Sequence, residues 1–305
     1  MSARLLILCP GQGGQHDAMF DLARSDARAA ALLARCAADG VLPPDGPGAE
    51  LYANRRAQPL IAAAGLAMWE ALRAGLPRPA LVAGYSIGEL TAYGVAGALA
   101  PEQTVALAAE RAALMERCVA GDAGQAMVSV SGLLPAQRAP LLDACGYYAA
   151  IVTGADSCVA GGPQAQAAAL VAAVEQAGGR SGVLPVSIAS HTPYMADAVA
   201  PFAAALRGSA LQAPLAPVLS GIGAARVHTR DEAIDQLSRQ LAEPIVWDAC
   251  IDACAEAGIT VALELGPGAA LSRMLQARHP AIACRSAADF RSLDGVRAWL
   301  ARELG

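Results

Sequence analysis

Apolar runs of strand length alternate with stretches of helical period along most of the chain, the pattern of an α/β protein. Residues Leu5–Cys9 are continuously apolar and stop at Pro10, so they read as a first buried strand, followed by the turn Pro10-Gly11-Gln12-Gly13-Gly14. Helical periods follow over 17–38 and 59–76. A second strand at 80–84 runs straight into Tyr85-Ser86-Ile87-Gly88-Glu89 and another helix. Pro101-Glu102 opens a helix reaching about residue 119, with Pro in the first turn, where its missing N–H would be unpaired anyway.

The rhythm changes after residue 125. Strand patterns at 126–133, 147–153, 158–161 and 183–188 alternate with helical ones at 135–144 and 163–177. This is β-α-β-β-α-β, the ferredoxin-like order. The simplest account is a subdomain, 123–189, inserted into one α/β core built from 1–122 and 190–305. A helix from Thr192, a strand near 217–222, helices over 230–241 and from Trp247, a strand at 261–265, the turn Gly266-Pro267-Gly268 and closing helices complete the chain.

Composition narrows the chemistry. The chain has 305 residues, and all 22 basic residues are Arg, so Schiff-base, pyridoxal and P-loop lysine chemistry are excluded. A net charge of −5 with 4% aromatic residues supplies neither a basic footprint nor a stacking surface for nucleic acid. The apolar start is too short for a signal peptide, and the uncharged stretches 157–174 and 208–225 are broken by Gly, Pro and Gln, which argues against a membrane span. The eight Cys include no Cys-x-x-Cys pair; Cys250 and Cys254, one helical turn apart, are too few ligands for a metal. No metal, reduced thiols and a cytoplasmic location are the expectation.

Gly84-Tyr85-Ser86-Ile87-Gly88 fits the Gly-x-Ser-x-Gly nucleophile elbow in its proper context, strand before and helix after. The turn stands the Ser86 hydroxyl clear of the sheet, and the helix behind it aims backbone N–H groups at a developing oxyanion. Among His16, His191, His228 and His279, the segment Ser190-His191-Thr192-Pro193 favours His191 as base, since it reads as a helix start whose dipole keeps the ring neutral. No acid stands out to orient it: Asp143, Asp156 and Glu175 are equivalent on pattern, and a backbone carbonyl would serve as well. Arg111 and Met115 share one face of the 101–119 helix, where Arg111 can grip a substrate carboxylate; the alternative is an exposed Arg beside Glu110 or Glu116.

Taken in order, Pro10-Gly11-Gln12-Gly13, Gly84-Tyr85-Ser86-Ile87-Gly88-Glu89, Arg111 with Met115, Ser190-His191, Arg239-Gln240-Leu241, Pro244-Ile245-Val246-Trp247 and Glu264-Leu265-Gly266-Pro267-Gly268 resemble the malonyl-CoA:acyl-carrier-protein acyltransferases over essentially the whole chain. The resemblance implies an α/β-hydrolase-like core with an inserted ferredoxin-like subdomain. It also implies Ser86 as nucleophile, His191 as base, an oxyanion hole from the backbone N–H groups of Gln12 and Ile87, and Arg111 for the malonyl carboxylate. Met115 and Tyr85 would line the pocket, and the main-chain carbonyl of Gln240 would hold His191. No cofactor is implied to bind tightly; malonyl-CoA is the implied substrate, CoA the product, and the prosthetic arm of an acyl carrier protein the acceptor.

Two departures shape the reading. The residue before the nucleophile is usually His in the fatty-acid enzymes and is Tyr85 here, which is more similar to the acyltransferase (epsilon) subunit of malonate decarboxylase, as are Ser190-His191-Thr192-Pro193 and Leu219-Ser220-Gly221-Ile222. An Asn common near the substrate has no match around 153–157. The expectation is therefore a malonyl transferase of malonate decarboxylase, acting with its carrier subunit and other decarboxylase subunits. The alternatives are the malonyl-CoA:carrier transacylase of fatty-acid or polyketide synthesis, a serine ester or thioester hydrolase, and a non-catalytic docking subunit.

Overall fold

A computed structural model describes residues 3–42, 51–119 and 124–305. The strands are β1 (Leu5–Cys9), β2 (Leu81–Gly84), β3 (Gln125–Ser131), β4 (Tyr148–Gly154), β5 (Ser157–Pro163), β6 (Arg180–Leu184), β7 (Val218–Leu219), β8 (Arg226–Val227), β9 (Ile245–Val246), β10 (Val261–Glu264) and β11 (Ala283–Ser286). The helices are α1 (Asp21–Arg24), α2 (Ala27–Ala38), α3 (Asn54–Leu72), α4 (Ile87–Val95), α5 (Pro101–Arg117), α6 (Pro135–Ala144), α7 (Ala167–Gln176), α8 (Ala196–Gly208), α9 (Arg230–Arg239), α10 (Trp247–Glu256), α11 (Ala270–Arg278) and α12 (Leu293–Leu304).

The larger sheet has the order β11-β10-β1-β2-β7-β8 and is parallel except for the β7–β8 pair. Strands β1, β2, β7 and β10 are buried on both faces, as covered strands must be, while the edge strands β8 and β11 are partly exposed. In β1 the side chains alternate: Leu5, Ile7 and Cys9 enter one core with α3, α5, α8 and α12, while Leu6 and Leu8 enter a second with α10 and α11. The smaller sheet, β6-β3-β5-β4-β9, wraps a core of its own with α6 and α7. Within 125–184 the element order is β-α-β-β-α-β and the first four strands of that sheet are antiparallel, which is the ferredoxin-like arrangement. Its fifth strand, β9, comes from the chain beyond residue 240 and pairs parallel to β4.

Several local details differ from the sequence expectation. The single helix expected over 17–38 is two, because Asp26 stops the first and caps the second, accepting from the Arg28 and Ala29 N–H groups. The helix expected from Pro59 begins at Asn54, ahead of the proline. The i−4 bond that Pro59 cannot donate is offset by a side-chain clamp: Asn54 Oδ1 accepts from Gln58 Nε2 at 2.6 Å, and Asn54 Nδ2 donates to Ala112 O at 2.9 Å. Strands β8 and β9, two residues each, are too short to show a period, and β11 falls where closing helices were expected, at the end of the short apolar run 281–284. The boundary expected at 122/123 falls among residues 120–123, outside the described residues.

Candidate active site

Crowding of the backbone creates the elbow between β2 and α4. A Cβ on Gly84 would lie 2.1 Å from the Gly88 carbonyl oxygen, and one on Gly88 would lie 2.1 Å from that of Cys9. Only glycine lets α4 start directly over the ends of β1 and β2. Ser86, between them, is driven to φ 57°, ψ −118°, a strained conformation for a residue with a side chain. Every residue of α4 is buried, so the helix is fixed on all sides.

His191 is equally constrained from the other half of the chain. It has φ 62°; its N–H donates to Leu241 O at 2.8 Å and its Nδ1–H to Gln240 O at 2.6 Å. Gln240 caps the C-terminus of α9, where the last carbonyls have no helical partner and are free to accept. With Nδ1 carrying the proton, the lone pair on Nε2 faces Ser86 Oγ at 2.7 Å. Asp143, Asp156 and Glu175 are exposed on the inserted unit, and the imidazole is oriented by the Gln240 carbonyl. The expected helix N-terminus is not what neutralises the ring. Residues 193–195 form a 3₁₀ turn before α8, and His191 lies against the C-terminal end of α9. Its pKa is pushed down to about 3 by burial and by the Arg111 charge, against an opposing contribution from the Gln240 carbonyl. His16 and His228 are exposed, and His279 Nε2 meets Asp252 Oδ1 at 2.9 Å.

Arg111 is 2% exposed, so the exposed-Arg alternative is set aside; Glu116 pairs with Arg55 instead. Its guanidinium donates to two neutral amide oxygens, Gln58 Oε1 at 2.7 Å through Nη1 and Gln240 Oε1 at 3.1 Å through Nη2. Among the described residues no carboxylate lies within ion-pair distance of it. Burial lowers its pKa to about 10, with Glu89 opposing, so it stays charged at neutral pH. Met115 is buried one turn on, and its sulfur accepts from Gln58 Nε2 at 3.3 Å. Tyr85 is half-buried with its ring edge-on to Trp247, centroids 5.2 Å apart.

The Gly-rich turn after β1 abuts the elbow: a Cβ on Gly11 would lie 2.7 Å from Tyr85 O. The Gly88 and Glu89 N–H groups turn back onto the carbonyls of Tyr85 and Ser86, which leaves the Ile87 N–H outside the turn's own bonding. The Gln12 N–H lies on the neighbouring turn. Cys250 and Cys254 are buried on α10, and Cys250 Sγ donates to Ser220 O at 3.5 Å.

Two residues of this cluster carry no role in the sequence reading. Gln58 gives no signal in sequence, being one amide ahead of a proline. Glu89 was visible as an acid in the first turn of an otherwise apolar helix. It is fully buried, and its Oε2 accepts from Gln240 Nε2 at 2.5 Å and from Gly221 N–H at 2.9 Å.

A neutral imidazole with its lone pair on a strained serine hydroxyl, at the mouth of a parallel sheet, defines an acyl-transfer enzyme. The chain belongs to the acyl transferase domain family, whose model matches residues 7–288. It is 33% identical over 302 residues to the malonyl CoA-acyl carrier protein transacylase of Mycobacterium bovis, covering 95% of this chain and 99% of that protein. It superposes with a TM-score of 0.88 on the acyl-carrier-protein S-malonyltransferase of Burkholderia pseudomallei 1710b, 27% identical, over 97% of this chain and 99% of that one. A second similar structure is a malonyl-transacylase in complex with its type II polyketide-synthase acyl-carrier protein, with 25% identity, a TM-score of 0.89 and coverage of 97% and 99%. The α/β-hydrolase-like core with its ferredoxin-like insert is thus a shared architecture.

Proposed function

We propose that this acyltransferase moves malonyl from malonyl-CoA to the prosthetic-group thiol of an acyl carrier protein in fatty-acid or polyketide synthesis. The observation that carries the reading is Arg111: a buried, charged guanidinium that, among the described residues, is held by amide oxygens alone, one of them on the same Gln240 that orients the base. Its positive charge is left for an anionic group, and a bidentate carboxylate satisfies it best.

In the first half-reaction Ser86 Oγ attacks the thioester carbonyl as its proton passes to His191 Nε2. Negative charge develops on the carbonyl oxygen, where the N–H groups of Gln12 and Ile87 receive it. Collapse breaks the C–S bond, and the departing CoA sulfur takes the proton from His191. In the second half the carrier thiol gives its proton to His191 and attacks the carbonyl of the Ser86 ester; as the bond to Ser86 Oγ breaks, that oxygen takes the proton back from His191. No step calls for a metal or a resident cofactor.

The relatives that span the chain favour the carrier-loading transacylase over the malonate decarboxylase role that the sequence motifs suggested, so the order of those two readings is reversed. Tyr85, before the nucleophile, keeps the second reading in view; it would change the acceptor arm to phosphoribosyl-dephospho-CoA and bring in other decarboxylase subunits. The division into a core of 1–122 and 190–305 and a subdomain of 123–189 is part of the same proposal.

The experiment is intact-protein mass spectrometry after brief mixing with malonyl-CoA or acetyl-CoA, followed by addition of either carrier type. A malonyl adduct that discharges onto a phosphopantetheine carrier supports the reading. Discharge only onto the phosphoribosyl-dephospho-CoA carrier supports the decarboxylase role, and equal labelling by both thioesters removes the Arg111 assignment.

A further inference from the structure

Gln240 is a junction of four contacts. Its main-chain carbonyl holds His191, its side-chain oxygen accepts from Arg111, and its side-chain nitrogen donates to Glu89 Oε2 at 2.5 Å and to Ser86 O at 3.3 Å. The amide can sit only one way round. Flipped, its NH₂ would face the Arg111 NH₂ and its oxygen would face a carboxylate and a carbonyl. Glu89 is therefore what turns the Gln240 oxygen toward Arg111. A carbon at Gly221 would lie 2.8 Å from Glu89 Oε2, so the carboxyl is packed tightly against that loop.

The second oxygen of Glu89 is different. Oε1 is buried and makes no hydrogen bond among the described residues, and neither does the hydroxyl of Tyr93 one turn along α4. Since Oε2 already accepts two N–H bonds, a proton on this carboxyl belongs on Oε1, and gaining or losing it leaves the grip on Gln240 intact. The charge changes while the geometry stays. The groups facing Glu89 are Arg111 from α5, Cys250 from α10 and Tyr93 on α4 itself, with Glu232 of α9 acting on Tyr93 and His191 lying beyond Gln240. Arg111 is the only cation among them.

We infer that Glu89 is a positioning residue which, through Gln240, couples the net charge of the Arg111 pocket to the loading of an acyl group that carries a carboxylate. The inference rests on the malonyl reading above. An ionised Glu89 partly cancels the Arg111 charge and opposes a second carboxylate; a protonated Glu89 leaves Arg111 free for it. Linkage then requires that a carboxylate-bearing acyl group favours the protonated form, whereas an acetyl group is indifferent to it. Burial raises the Glu89 pKa to about 7, against lowering contributions from the Gly221 and Gln240 bonds and from Arg111, so the switch lies in an accessible range.

The test compares rates of acyl-enzyme formation from malonyl-CoA and acetyl-CoA between pH 5.5 and 8.5 for wild type, Glu89→Gln and Glu89→Ala. Acetyl-CoA cancels effects common to both thioesters, including titration of the CoA phosphate. Wild type should lose malonyl-over-acetyl preference by ~5-fold or more as pH rises through the Glu89 transition. Glu89→Gln, which keeps an acceptor oxygen and copies the protonated form, should show a flat preference over the same range. Glu89→Ala frees the Gln240 amide and should lower malonyl loading roughly ten- to a hundredfold at every pH, the range for a lost charge-assisted bond. A preference in wild type that does not change with pH, or one that changes equally in Glu89→Gln, overturns the inference while leaving malonyl transfer standing. Absence of any malonyl adduct on wild type overturns the functional reading and this inference with it.

Discussion

The Nδ1–H of His191 is 2.6 Å from the main-chain carbonyl of Gln240, a neutral acceptor where many serine enzymes place a carboxylate. A carbonyl fixes the tautomer as firmly as an acid would but adds no full negative charge. Buried, and with Arg111 close by, the imidazole is held well below its ordinary pKa, and the Ser86–His191 pair rests in its neutral, hydrogen-bonded form.

The first consequence concerns the nucleophile. Ser86→Ala should give no acyl-enzyme mass with malonyl-CoA, while its circular dichroism and melting temperature stay close to wild type, because the glycines and not the hydroxyl shape the turn. A persistent malonyl adduct in that variant would place the nucleophile elsewhere.

Arg111→Ala should lose malonyl preference over acetyl by ~1.5–3 kcal/mol in transition-state terms, the range for a charge-assisted hydrogen bond. The variant also strips Gln58 and Gln240 of a buried donor, so its acetyl activity serves as the internal standard for general damage. Neutral-ester hydrolysis that survives unchanged, with malonyl preference also unchanged, would favour a hydrolase.

Stability should depend on pH through His191. Its folded pKa is about 3 against an unfolded value of 6.5, so between these limits the unfolded chain binds a proton that the native one refuses. Stability is fully present above pH 6.5 and falls as the pH drops through that window. Replacing the ring by Gln removes this contribution. Denaturant titrations at pH 7 and pH 4.5 should show a smaller acid loss in His191→Gln than in wild type; equal losses would mean the ring is not buried neutral.

Gly88→Ala should be severely destabilising, by ~1–3 kcal/mol or more, because its Cβ would strike the rigid backbone of Cys9 2.1 Å away. Soluble expression and thermal melting measure this. A variant as stable as wild type would show that α4 can shift off the end of β1.

How much of this was legible in sequence varies with the kind of residue. Strands β1, β2 and β10 announce themselves as apolar runs because both faces of the sheet are covered, and α6 begins at Pro135 and ends at Ala144, as its period and first-turn proline indicate. Strand β9 is legible only from its neighbours, since two residues have no periodicity. Ser86 is betrayed by the glycines that its strained turn requires. Arg111 could be placed on a helix face, but whether that face was buried depended on α3, which lies distant in sequence. Gln58 left no trace, because its position relies on a contact with Arg111 across 53 residues of chain. For Gln240 the family resemblance supplied what chemistry could not, as a main-chain acceptor carries no side-chain signature.

Strand β9 gives the site a mechanical character. The insert's chain emerges from β6 and leads to His191; the chain that supplies Gln240 goes on to β9, which is knitted to the insert through β4. His191 and the Gln240 carbonyl that holds its ring thus arrive on two threads anchored in the same small sheet, whereas Ser86 is bolted to the larger one. The alignment of the His191 ring with the Ser86 hydroxyl is accordingly a measure of how the two sheets are seated against each other.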